Sequence, residues 1–296
     1  MSASGHEDPV RAWPTDIHVH IQPWDEMKPA ALQVMRSGRV DVEALDRFMR
    51  DPAALVAHLD AVKIGRVALI NYVAPEIMGF SSRVNEWGAR YRDAAHGRVL
   101  AFGGIHPPAC ADVREEMRRI TEDLRLDGLK LHPPHQNLSP DAYRDGSCPE
   151  LALVYEACSR ARLPIMFHTG TSVFPGARSR LGGALVLDDV AVDFPELTII
   201  LAHGGRPLWM KEAFFMLRRH SNVYMDISGI PPKALLEYFP RLEEVAAKAL
   251  YGTDWPSPGV RTLDGNLLHL KALGLAPANL DLILRGNALK LFPPRN

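Results

Sequence analysis

Short apolar, β-rich runs recur along the chain and alternate with longer amphipathic stretches, which is the pattern of strands followed by crossover helices. Strands are expected to begin near Thr15, Arg66, Arg98, Gly128, Pro164, Leu197, Asn222 and Lys248. Helices are expected over 51–63, 81–96, 110–124, 148–162, 183–193, 207–220, 232–247 and 262–273. Local punctuation agrees with these bounds. Asp51-Pro52 offers an N-cap with proline in the first turn, Gly97 stops the helix before the third strand, and Pro195 separates a helix ending near Phe194 from the sixth. Eight strand–helix units fit a closed α/β barrel, the (β/α)8 TIM barrel of about 250 residues, better than an open sheet.

Two departures from a minimal barrel stand out. The first strand-to-helix connection is long, roughly residues 21–50, and carries Trp24, Met27, Met35 and Phe48. It either caps a substrate over the catalytic face or packs on the barrel as an insertion. After the last unit, Asn279 to Phe292 reads as one extra amphipathic C-terminal helix packed outside. No internal repeat, linker or low-complexity tract interrupts the alternation, so 1–296 is taken as a single domain.

Composition narrows the function classes. The chain has 296 residues, 47% hydrophobic and 23% charged, and a formal net charge of −1, an ordinary globular balance. Near-neutrality gives no field for steering nucleic acid or an anionic membrane, so neither is an expected partner. Cys110, Cys148 and Cys158 show no Cys-x-x-Cys spacing, an odd and sparse set that fits a reducing, cytoplasmic setting. The first fifteen residues lack an apolar signal core, and runs such as Leu197 to Ala202 are too short to span a bilayer.

The strongest chemical signal is Asp16-Ile17-His18-Val19-His20 on the first strand. Strand alternation puts Asp16, His18 and His20 on one face and Ile17 and Val19 on the other. Two imidazoles spaced this way can converge on one divalent cation. Three further strand ends contribute: His168 after the fifth apolar run, His203 in His203-Gly204-Gly205 after the sixth, and Asp254 in Gly252-Thr253-Asp254 after the eighth. C-terminal strand ends of a barrel converge on one mouth, where active sites lie. Packing alone does not explain such a set. No P-loop, Gly-x-Gly-x-x-Gly or Gly-x-Ser-x-Gly competes with it.

These motifs resemble those of the amidohydrolase superfamily, specifically the amidohydrolase-related branch that includes aminocarboxymuconate-semialdehyde and γ-resorcylate decarboxylases. The resemblance runs from the His-x-His strand to Gly286-Asn287-Ala288 and Phe292. It implies that His18, His20, His168 and Asp254 ligate one divalent metal, zinc in most of the branch. It also implies that His203 stands beside the metal as general acid/base, with Asp254 sharing the proton transfer. Lys130, in Gly128-Leu129-Lys130, occupies the strand-four position of a bridging lysine in binuclear members. A contact to a substrate carboxylate is the expectation for Lys130 and His132, because the branch is mononuclear. Arg178 and Arg206 are candidates for a bidentate grip on the same group. Asp226 is expected to make structural hydrogen bonds, and His106 is read as a structural histidine near the mouth. The preferred reading is a hydrolase that uses a metal-activated water on a small, carboxylated organic substrate. The alternative is a non-oxidative decarboxylase built on the same ligands, and a non-catalytic ligand-binding barrel is the remote third. A homodimer is compatible with the branch.

Overall fold

In the computed structural model, which describes residues 8–37, 41–257 and 260–295, eight strands pair in sequence order. Residues 1–7, 38–40 of the long first connection, 258–259 and 296 lie outside the described set. The strands are β1 Thr15–Val19, β2 Arg66–Ile70, β3 Val99–Gly103, β4 Gly128–Leu131, β5 Ile165–Gly170, β6 Ile199–Arg206, β7 Val223–Asp226 and β8 Ala249–Leu250. All seven neighbouring pairs are parallel. Backbone bonds from Ile17 N to Tyr251 O (3.0 Å), from Asp254 N to His18 O (2.9 Å) and from His20 N to Trp255 O (2.7 Å) join β1 to the β8 end. The fold is a (β/α)8 barrel.

Strands buried on both faces need apolar residues at odd and even positions alike, and the sequence supplies them. Ile17, Ala68, Ile70, Leu100, Phe102, Met166, Ile200, Ala202 and Leu250 pack together inside the barrel. The alternate residues of the same strands, among them Val67, Leu69, Ile165, Phe167 and Ile199, pack outward against the helices.

The first strand departs from simple alternation. Its pairing with β2 shifts register between Asp16 and Val19. Ile17 and Val19, expected together on the outer face, therefore part: Ile17 sits in the interior cluster and Val19, beyond the shift, in the outer one. An extra residue of this kind re-aims the side chains beyond it. That is how His18 and His20 reach the mouth above an inward Ile17.

The crossover helices largely follow the expected stretches, with two informative breaks, while short helices at Pro9–Ala12 and Pro133–Gln136 lie outside them. The stretch 232–247 is not one helix: it is helical over Pro232–Tyr238 and restarts as a 3-10 helix at Leu242–Lys248. Pro240, which lacks a backbone donor, lies in the gap. The closing segment runs through Pro277–Asp281, a π turn at Leu282–Gly286 and Asn287–Leu291. It is not wholly outside the barrel. Ala288 and Phe292 join the interior cluster, so the end of the chain closes the floor.

The long first connection folds into a 3-10 turn at Trp24–Glu26 and helices Pro29–Arg36 and Val42–Arg50. Trp24, Met27, Met35, Leu45 and Phe48 bury themselves with Leu55, Leu59 and Leu69. Packing is its main work, though Gln22 and Met35 also line the mouth.

Asn287 holds the floor segment to the barrel. Its buried amide donates to both Ala246 O and Ala249 O at 2.7 Å. Asn287→Ala leaves two buried carbonyls without that donor, a loss of about 1–3 kcal/mol. The expected outcome is a melting temperature lower by several degrees, with the metal content per folded molecule unchanged.

Candidate metal centre

The C-terminal strand ends enclose a cleft of ≈ 180 Å³. His18, His20, Lys130, His132, His168, His203, Arg206 and Asp254 all line it. A larger surface groove of ≈ 550 Å³ lies among Arg114, Arg118, Leu153 and Arg160 on the helical exterior, away from this chemistry.

At the centre, ring nitrogens of His18 and His20 and a carboxylate oxygen of Asp254 lie within 4.8 Å of one another. Asp254 Oδ1 is 3.1 Å from His20 Nε2 and 3.7 Å from His18 Nε2. The protonation of His18 follows from its other nitrogen. His18 Nδ1 lies 2.8 Å from Asp226 Oδ2, fully buried. Burial alone would raise the Asp226 carboxyl, but His18, Ser228 and Lys130 bring it below the ordinary carboxylate range. Asp226 is thus the acceptor and His18 Nδ1 the donor. Burial also drives His18 down to about 4, so the ring is neutral. Its Nε2 then carries a lone pair, and that buried atom has no hydrogen-bond partner.

An unpartnered imidazole lone pair beside a second imidazole and a carboxylate suits a divalent cation, and an aspartate behind the ligating ring is the usual orienting support. The residues present fit the metal. A second grouping, His18, His203 and Asp226, is equally compact. There Asp226 is already committed: Oδ1 accepts from His203 N (3.1 Å), Ser228 N (2.9 Å) and the Ser228 hydroxyl. That grouping is a hydrogen-bond hub.

His168 lines the cleft, with its ring centroid 4.9 Å from that of His203. Its Nε2 is 3.3 Å from Thr171 O, and it belongs to neither compact grouping. His203 Nδ1 lies 3.2 Å from Ser228 O and 2.8 Å from Ser228 Oγ. A carbonyl can only accept, so Nδ1 carries the proton and Nε2 is the free, basic nitrogen of the neutral ring. His203 and Asp254 both hold left-handed backbone, φ 65° and 68°. Neither residue is glycine, and such conformations concentrate at functional sites.

Two cations share the cleft. Lys130 Nζ is buried with no hydrogen-bond partner, and burial pushes the amine down to about 8. Arg206 Nη2 donates to Asp254 Oδ2 at 3.0 Å. Gly229 makes room for that guanidinium: a Cβ there would stand 2.6 Å from Arg206 Nε, and φ is +63°. Arg178 does not join them. Its side chain is exposed and outside the cleft lining, because the 171–182 turn, pinned by Arg178 N to Pro134 O (3.0 Å), carries it away. His106 is also outside the lining.

Sequence reasoning missed His135 and Tyr72. His132, His135 and His168 form a stack, with neighbouring centroids 3.5 and 3.9 Å apart. His135 bridges the Tyr72 hydroxyl (3.0 Å) and Ser172 Oγ (2.8 Å). The available signal was the spacing of His132 and His135, which share a face of one helical turn.

A barrel with histidines and a carboxylate gathered at its mouth defines a class of metal-dependent enzymes. The chain belongs to the amidohydrolase family, whose model matches residues 15–293. No curated protein matches the chain. Among solved structures, 5-carboxyvanillate decarboxylase from Sphingomonas paucimobilis is similar at TM-score 0.68 and 17% identity, over 97% of this chain and 100% of that one. A dihydroxybenzoic acid decarboxylase from Polaromonas, with bound manganese and 2-nitroresorcinol, matches at TM-score 0.62 and 18% identity, over 95% and 96%. 4-Oxalomesaconate hydratase from Rhodopseudomonas palustris matches at TM-score 0.58 and 16% identity, over 95% of each chain. Among the described residues no helix is long and apolar enough to cross a membrane.

In Asp226→Asn the remaining oxygen is claimed by the three donors from His203 and Ser228, so an NH2 donor faces His18 Nδ1 and no longer holds that tautomer. Metal affinity is expected to fall about 10–100-fold, read by competition with a chromogenic chelator. Unchanged affinity would show that His18 does not depend on Asp226.

Proposed function

We propose that the protein is a metal-dependent carboxy-lyase that removes CO₂ from a small planar carboxylic acid. The observation that carries this reading is the pair of cations beside the histidine–aspartate cluster. Lys130 Nζ has no protein partner, and Arg206 reaches the same cleft. Tyr72, Phe174, Met35 and Met78 wall that cleft. Two cations suit a carboxylate, and the aromatic and thioether walls suit a flat, polarisable body. The decarboxylases among the structural neighbours support the same chemistry.

In this reading His18, His20 and Asp254 would hold one divalent cation, with His168, outside that compact grouping, as the fourth ligand the family resemblance implies. Imidazole-rich ligation favours zinc; manganese in the Polaromonas neighbour makes it the second metal to assay. When bound, the cation supplies Lewis-acid polarisation of a substrate oxygen. Lys130, Arg206 and His132 orient the acid. As the bond to the carboxylate breaks, its electrons remain on the substrate carbon and CO₂ departs. His203, whose Nε2 is free in the neutral ring, takes a proton from solvent at that nitrogen and passes it to the carbon, while Ser228 holds the other ring nitrogen.

The hydrolytic reading expected from the sequence needs Asp254 or His203 as base for an attacking water. Arg206, 3.0 Å from Asp254 Oδ2, occupies one oxygen that would take the proton. This weakens Asp254 in that role.

A panel of hydroxybenzoic and muconate-like acids, assayed for CO₂ release with zinc and with manganese, tests the proposal. Turnover without CO₂, or hydrolysis of esters and amides alone, overturns it. Lys130→Met is expected to raise KM about 10–100-fold, equivalent to ~1.4–2.8 kcal/mol of binding. His203→Asn should retain the metal while kcat falls about 10²–10⁴-fold. Loss of metal in His203→Asn would make that residue a ligand.

A further inference from the structure

At the opposite end of the barrel stands another buried cation, one that no carboxylate among the described residues pairs with. Arg66, the first residue of β2, is 1% exposed. It has the parity of Ala68 and Ile70, which face the interior, so the strand turns it inward at the floor. Its Nη1 donates to Phe292 O at 2.7 Å. Its Nε and Nη2 are buried with no hydrogen-bond partner. Those two nitrogens form one edge of the guanidinium, the fork that grips an anion bidentately. Thr15, cross-strand partner of Arg66, is wholly buried, and its hydroxyl is also unpartnered.

No described carboxylate neutralises this group. Asp127 and Asp8 are the acids whose fields reach Arg66. Asp127 accepts from Ala101 N at 2.8 Å and Arg295 Nη2 at 2.7 Å. Asp8 accepts from Val10 N at 3.0 Å and faces Arg11 at 3.4 Å. Neither forms an ion pair with Arg66. Burial pushes the guanidinium down to about 10, which leaves it charged at neutral pH. A buried, unpaired charge costs several kcal/mol. Ordered water can satisfy its donors but does not neutralise the charge.

We propose that the barrel floor holds a small monovalent anion of chloride size, gripped by Arg66 Nε and Nη2 and by the Thr15 hydroxyl. The anion stabilises the closure of the barrel by the C-terminal segment, because the same guanidinium holds the Phe292 carbonyl. The layer of Ile17, Ala68, Leu100, Phe102 and Leu250 is apolar. It separates this site from the mouth, so the two are chemically independent.

Crystals grown in sodium bromide provide the direct test. An anomalous bromide peak is expected between the Arg66 fork and Thr15 Oγ1, and it should be absent in Arg66→Met. In solution, replacing chloride by gluconate, too large for the floor, at equal ionic strength should lower the melting temperature by roughly 2–4 °C. Arg66→Met should lose that dependence. Should Arg66→Met fail to fold, Thr15→Val serves in its place and is expected to weaken the bromide peak and the salt effect together. Water density at the fork, with equal melting temperatures in chloride and gluconate, overturns the proposal. Neither readout involves turnover or the metal, so failure here leaves the carboxy-lyase reading untouched.

Discussion

The site depends on one buried carboxylate, Asp226, at the end of β7. One oxygen faces His18 Nδ1; the other takes the backbone of His203 and both the backbone and hydroxyl of Ser228. A single anion therefore sets the tautomer of His18 and anchors the left-handed turn at His203. Through Ser228 it also fixes which nitrogen of His203 is free. A charge this deep persists only because so many donors meet it. The three strand ends β1, β6 and β7 are locked together by that requirement.

Asp16 plays the matching part between β1 and β8. Its oxygens accept from His18 N, Thr253 N and the Thr253 hydroxyl. Burial raises Asp16 to about 7, with Thr253 and His18 opposing the rise. The first motif of the sequence thus contains two kinds of residue. His18 and His20 present nitrogens to the mouth, whereas Asp16 ties the strand carrying them to the strand carrying Asp254.

Much of this was legible because parallel barrels impose a simple code. Eight apolar runs at regular intervals can hardly pack any other way, and polar residues at their C-terminal ends must meet. What escaped was set by local backbone chemistry that periodicity does not see. The register shift in β1 sent Ile17 and Val19, two residues apart, to opposite faces. Pro240 divided an apparently continuous helix, and the closing segment became a floor because Ala288 and Phe292 had an interior to fill. Arg178 and Arg206 looked equivalent as loop arginines. Only the three-dimensional path of 171–182 and the space left by Gly229 distinguish them. His135 was invisible because its meaning lies in contacts with Tyr72 and Ser172 from distant elements.

The pairing of Arg206 with Asp254 gives the mouth a built-in competition. Asp254 Oδ2 is held by the guanidinium, while Oδ1 faces His18 and His20. An incoming carboxylate offers Arg206 a second anionic partner within the same cleft, alongside the unpaired Lys130. A neutral substrate offers neither cation anything in exchange for its lost hydration. The fields of Asp226 and Asp254 partly offset the buried charge of Lys130, but no group hydrogen-bonds its ammonium, and that unmet donor is what a bound anion would satisfy. The buried Lys130 and the partly exposed Arg206 give the mouth a local positive field that a net charge of −1 for the whole chain does not reveal.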